Sequence, residues 1–370
     1  MRISNNIGVS EEISFGRQLG GCQDDLAAGG TGGISRLSDE PAGVNDAFRR
    51  PSMITSVGCR KLEVRDTQSA GSGTIVPVLV MYPTLAPPGR TQMGPYELDL
   101  AMGAPIEKGH YPLVVISHGS SGSPMVFRTL AQHLARSGYI VCVPEHPGDS
   151  IFNNELQYSL RNLIDRPRHV SLVLDALCNL EDWKDCVQAQ SVAVIGHSVG
   201  GYTALALAGG HPHTRWMVDF SHQPENFAAP SWTALVRKNK LTSQPVEVTP
   251  DRRIKAIVLL APDVSLFMDI GALADVHVPV LLRVAEKDDW PRETIQTLSH
   301  GLPDPARLDA RIVENGNHYC FISAFPDSLR DKVGEAAVDP AGFDRLQFQQ
   351  VLQEQIVGFL TKALERKGVH

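Results

Sequence analysis

The chain has 370 residues, 42% of them hydrophobic and 20% charged, with 34 Lys and Arg against 41 Asp and Glu for a net charge of −7. That size suits one large α/β domain with extensions or two small domains. The acidic balance argues against nucleic acid as a partner, because phosphate binding needs a basic face. No stretch approaches the ~18 continuous apolar residues of a membrane helix. Cys22, Cys59, Cys142, Cys178, Cys186 and Cys320 are scattered with no Cys-x-x-Cys pair. They read as reduced thiols rather than a metal site, with Cys178 and Cys186 the one pairing left open. The start has no long apolar run behind Arg2, and the chain reads as cytoplasmic.

Residues 1–55 are rich in Gly, Ser, Asp and Asn and show no apolar period, which predicts a flexible N-terminal arm. From Cys59 the pattern becomes regular. Lys61–Arg65 alternates, and Thr74–Tyr82 follows a Gly-Ser-Gly turn, which suggests an initial antiparallel pair. Leu113–Ser117, Tyr139–Val143, Val192–Ile195, Ile254–Leu260 and Val278–Val284 are short continuous apolar runs, as expected of parallel strands covered on both faces. Helical patterns lie between or after them at Val126–Ser137, Arg166–Leu180, Gly201–Ala208, Pro291–His300 and Leu346–Lys367. The alternation predicts a mostly parallel, doubly wound α/β sheet over residues 56–370, with an antiparallel strand at its N-terminal edge. Residues 211–250 are too long for a turn and contain Trp216, Phe220 and Trp232, so they are expected to form a lid whose aromatic rings line a pocket.

The chemistry concentrates at one junction. An apolar run ending at Ile195 breaks into Gly196-His-Ser-Val-Gly200 and continues as a helix-forming stretch. This is a strand, a sharp turn and a helix with Ser198 at the apex, the arrangement that exposes a serine hydroxyl as a nucleophile. A serine needs a base, and the base needs an orienting carboxylate. Asp288 follows the strand ending at Val284, and His318 lies in a Gly/Asn loop thirty residues further on. Asp263, just past the strand before that one, is the competing acid. Ser117-His-Gly-Ser120-Ser-Gly122 follows another strand, and its Ser120 N–H, with that of Val199, is assigned to hold the negative charge that builds on a carbonyl oxygen under attack. His197 adjoins the serine and is expected to support the turn. His211 and His213 lack accompanying carboxylates or cysteines, so no metal is expected.

The order Ser198, Asp288, His318 resembles that of the α/β-hydrolase superfamily. Within it the chain is similar to predicted dienelactone hydrolases and to the platelet-activating factor acetylhydrolase group. Carrying segments are Met81-Tyr-Pro-Thr84, Ile116-Ser-His-Gly119, Pro144-Glu-His-Pro-Gly148, Gly196-His-Ser-Val-Gly-Gly-Tyr-Thr-Ala204 and Gly316-Asn-His-Tyr319. The resemblance implies an α/β-hydrolase fold and cofactor-free hydrolysis of a small or medium carboxylic ester through an acyl-serine. An amide, a lactone or a platelet-activating-factor-type acetyl group would use the same triad, and a non-catalytic binding protein on this scaffold is the remaining alternative. Dienelactone hydrolases carry cysteine where Ser198 stands, and the acetylhydrolases place their acid nearer Asp263, which keeps that choice open. A small-molecule ester is the expected partner, and a homodimer is left open.

Overall fold

A computed structural model describes residues 56–68, 73–222 and 232–365; the arm expected over 1–55 lies outside the described residues. The strands are β1 Ser56–Asp66, β2 Thr74–Thr84, β3 Gly89–Met93, β4 Tyr96–Met102, β5 Tyr111–Ser117, β6 Ile140–Pro144, β7 Val187–His197, β8 Ile254–Leu260, β9 Val280–Ala285 and β10 Leu308–Val313. The helices are α1 Arg128–Arg136, α2 Leu160–Cys178, α3 Val199–Leu207, α4 Arg215–Ser221, α5 Trp232–Lys238, α6 Pro291–Gly301, α7 Arg330–Val333 and α8 Arg345–Glu365.

The strands form one sheet in the order β10-β9-β8-β7-β5-β6-β2-β1-β4-β3. From β10 to β6 all neighbours are parallel. β2 is antiparallel to both β6 and β1, and β3–β4 is an antiparallel hairpin at the edge. That hairpin is not evident from apolar runs. Its signal is the Gly94-Pro95 turn, with Gly94 at φ +59°, and the alternate burial of Tyr96, Leu98 and Leu100.

Alternation along the central strands divides the core in two. Leu113, Val115, Val192, Val194, Ile257 and Leu259 face α2, α3 and α6, while Val114, Ile116, Ala193, Ile195, Val258 and Leu260 face α1 and α8. Every second side chain of a parallel strand therefore feeds a different helical layer. α8 contributes Leu352, Ile356, Leu360 and Leu364 at helical spacing, each worth about 1.5–3 kcal/mol of burial relative to exposure.

Helix α2 begins at Leu160, six residues before the expected Arg166, capped by the Ser159 hydroxyl, which accepts from the Asn162 N–H at 3.1 Å. Pro167 lies inside the helix and cannot bond the carbonyl of Leu163. The Tyr202 hydroxyl donates to that carbonyl instead, at 2.7 Å. A side chain 39 residues away thus replaces the missing backbone donor, which local sequence cannot reveal. Cys59, Cys142, Cys178, Cys186 and Cys320 are all free thiols.

Candidate active site

The strand order reverses between β5 and β7: the chain runs from β5 through α1 to β6, then through α2 back past β5 to β7. In a doubly wound sheet the crevice opens at such a switch, outside the C-terminal ends of the strands. The two segments emerging there are His118–Gly122 and Ser198.

Ser198 adopts φ +54°, ψ −125°, a conformation that costs a side-chain-bearing residue on the order of 1–3 kcal/mol and persists only where its surroundings enforce it. The enforcement is steric and hydrogen-bonded. A Cβ on Gly196 would lie 2.1 Å from the Gly200 carbonyl oxygen, and one on Gly200 would lie 2.0 Å from that of Ser117. Glycine is therefore required at both flanks of the turn. The Ser198 N–H donates to Leu260 at 3.1 Å, and its carbonyl accepts from the N–H groups of Gly201 at 2.8 Å and Asp263 at 2.9 Å.

His318 opens a short 3₁₀ turn after β10, capped by the Asn317 side chain. Its Nδ1 meets Asp288 Oδ1 at 3.0 Å and Oδ2 at 2.9 Å, and Asp288 comes from the loop after β9. Burial works to lower the His318 pKa, but the hydrogen bond and charge of Asp288, aided by Asp289 and Asp263, outweigh it and hold it above its ordinary value. Asp263 is occupied elsewhere: its Oδ1 accepts from the N–H of Ser265 at 3.0 Å and from its hydroxyl at 2.5 Å, and burial raises its pKa. Of the two aspartates the sequence offers, Asp288 carries the contact to His318.

His197 is buried, and its Nε2 donates to the His318 carbonyl at 3.0 Å, so it braces the histidine loop from below. Burial and the neighbouring His318 depress its pKa to about 3, which keeps it neutral. His211 contacts Asp275 on the surface, His213 accepts from the Arg215 N–H, and no cluster of potential metal ligands occurs among the described residues.

The loop after β5 presses against the serine. A Cβ on Gly119 would stand 3.1 Å from Ser198 Cβ. Among the described residues no protein acceptor takes the Ser120 N–H, and the Val199 N–H is the first of α3, where no intrahelical partner exists. Two backbone donors are thus available beside Ser198.

Ser198, His318, Asp288, Asp263 and Ser120 line one cavity of about 1620 Å³. Trp216 of α4, Phe220 of α4 and Trp232 of α5 line it too, within the described parts of the segment expected as a lid. Trp216 and Phe220 pack on Trp290, which follows Asp289 in left-handed conformation (φ +47°): its ring lies 5.6 Å from Trp216 and 5.3 Å from Phe220. Sequence reasoning overlooks Trp290, although its place beside Asp288 and Asp289 is the signal. It also passes over a buried pair beneath the Ser120 loop, Asp149 and Arg166, because charged residues in a loop and a helix read as solvated.

A sequence-family profile described as Chlorophyllase matches residues 90–222. The chain is similar to platelet-activating factor acetylhydrolase of Canis lupus familiaris, 29% identical over 28% of this chain and 33% of that protein. The enzyme of the same name from Bos taurus is 26% identical over 26% of this chain and 31% of its own length. The chain thus spans about a third of the length of these relatives. A solved ferulic acid esterase from Streptomyces cinnamoneus superposes with a TM-score of 0.55 at 18% identity, covering 87% of this chain and 94% of that one. With the reversal of strand order at the serine turn and the parallel sheet around it, the superposition gives the chain an α/β-hydrolase fold.

Proposed function

We propose that the chain is a serine carboxylesterase. The observation that carries this reading is the pairing of His318 with Asp288 in the cavity that also exposes Ser198 at a strained turn. With Nδ1 donating to the carboxylate, Nε2 of the neutral imidazole is left as the base. It takes the proton of Ser198 as Oγ attacks the ester carbonyl, and the carbonyl π pair becomes an oxyanion held by the N–H groups of Ser120 and Val199. The imidazolium then protonates the leaving alkoxide, and an acyl-serine remains. Water, deprotonated by the same imidazole, releases the acid and restores Ser198. Asp288 orients the imidazole and stabilises the imidazolium.

The triad consists of side chains, and the backbone N–H groups of Ser120 and Val199 complete the site. A second reading, removal of an acetyl group from a phospholipid, is favoured by the similarity to the acetylhydrolases. Hydrolysis of short p-nitrophenyl esters by wild type and Ser198→Ala tests the first: equal rates in both overturn it. Acetylated lysophospholipid assayed beside those esters separates the two by relative kcat/KM.

A further inference from the structure

The Ser120 loop is held in place by a charged residue that never reaches the cavity. Asp149, fully buried in the loop after β6, accepts four hydrogen bonds. Oδ1 takes the Ser120 hydroxyl at 2.6 Å and the Ser121 N–H at 3.0 Å. Oδ2 takes Asn162 Nδ2 at 2.8 Å and Arg166 Nη1 at 2.8 Å. Arg166, also fully buried, extends from α2 to the Thr203 hydroxyl at 3.3 Å on α3 and donates to the carbonyl of His118. One ion pair therefore grips both ends of the turn, at His118 and at Ser120–Ser121, and ties it to the helix that follows Ser198.

The turn needs such a grip. Ser121 sits at φ +53°, a region that costs a side-chain-bearing residue roughly 1–2 kcal/mol. With the Ser121 N–H drawn to Asp149, the Ser120–Ser121 peptide is fixed, and among the described residues the Ser120 N–H has no protein acceptor. The backbone continues the clamp: Ser150 bridges Gly122, and the Ile151 N–H donates to the Gly122 carbonyl at 2.9 Å. The ion pair is fully buried and multiply bonded, so its geometry admits little play.

We infer that Asp149, held by Arg166, is a positioning residue that aims the Ser120 N–H at the oxyanion; this rests on the carboxylesterase reading of Ser198. An effect exerted only through the oxyanion donor belongs to the transition state and not to the bound ester.

The test measures kcat and KM on a p-nitrophenyl ester together with the affinity of an aryl trifluoromethyl ketone. Ser198 adds to the carbonyl of that ketone, its proton passing to His318, to give a hemiketal oxyanion. Asp149→Asn is expected to lower kcat by about 10²–10³-fold, the range for loss of one oxyanion donor, with KM within about threefold. Ketone affinity is expected to fall by the same factor as kcat. Folded Asp149→Asn with kcat and ketone affinity within about threefold of wild type overturns the inference, as does a loss confined to KM.

Should Asp149→Asn not fold, Ser120→Ala decides. It removes only the 2.6 Å hydroxyl contact and keeps the buried pair and the backbone N–H. A parallel loss of kcat and ketone affinity of about tenfold supports the clamp, and no change in either overturns it. Wild-type turnover that survives Ser198→Ala defeats the carboxylesterase reading instead, so the two failures are distinguishable.

Discussion

The cavity has a floor and a wall built on opposite principles. Beneath Ser120 lies a floor of buried charge and hydrogen bonds: Asp149, Arg166, Asn162, Ser117 and the rings of His118 and His146. Above the serine the wall consists of aromatic rings, Trp216, Phe220, Trp232 and Trp290, with centroids 4.9–6.2 Å apart. Hydrogen bonds in a dry interior are directional and costly to leave unmade, so the floor fixes positions to fractions of an ångström. Ring contacts are tolerant of displacement, so the wall can accept differing shapes. Under the proposed carboxylesterase reading, the floor suits the transition state and the wall the substrate.

The sharpest way to break this contrast is through the triad that joins the two. Ser198→Ala or His318→Ala is expected to lower kcat by roughly 10⁵–10⁶-fold on any accepted ester, measured with the enzyme in excess. Asp288→Asn should cost about 10⁴-fold by losing the hydrogen bond that sets the His318 tautomer. Asp263→Asn should cost less than about tenfold, because its carboxylate is bonded to Ser265 and not to His318. The opposite ranking would return the acid to Asp263. Arg166→Met leaves Asp149 buried without its counter-ion, and urea denaturation should register a loss of about 3–5 kcal/mol. A change below about 1 kcal/mol would show that the floor is not a stressed, specific structure.

Acidity separates the regions further. Burial depresses the pKa of His118 and of His169 to about 4, with the charge of Arg166 contributing. A histidine with a folded pKa below its unfolded value of about 6.5 stabilises the fold above that value and loses this contribution as pH falls. The denaturation midpoint should therefore drop between about pH 6.5 and 4. His318 moves the other way. Its raised pKa places the acid limb of kcat/KM above the ordinary histidine value, and Asp288→Asn should move that limb to lower pH. The smallest effect belongs to the wall: Trp290→Ala should raise KM for a bulky aromatic ester about three- to tenfold and leave kcat nearly unchanged. A fall in kcat as large as that of the floor variants would erase the distinction.

Much of this site is legible in the chain. Gly196, Ser198 and Gly200 announce a turn because glycines at those spacings remove the side chains that would strike the Gly200 and Ser117 carbonyls. The strands are legible because a parallel strand covered on both faces must be apolar throughout. The β3–β4 hairpin was hidden because its apolar residues alternate with polar ones and form no continuous apolar run. The start of α2 was hidden because Pro167 looks like a boundary until the Tyr202 hydroxyl is seen to bond the Leu163 carbonyl.

The amino-acid sequence by itself determined the strand-helix alternation, the serine turn and the order in which serine, acid and base appear. These depend on local sterics and periodic burial, which neighbouring residues encode. Only the tertiary structure decided that Asp288 rather than Asp263 meets His318, that Trp290 joins the aromatic wall, and that Asp149 and Arg166 hold the Ser120 loop. Those pairings join residues 17 to 74 positions apart, and a charge's partner is set by which loops the sheet brings to one edge.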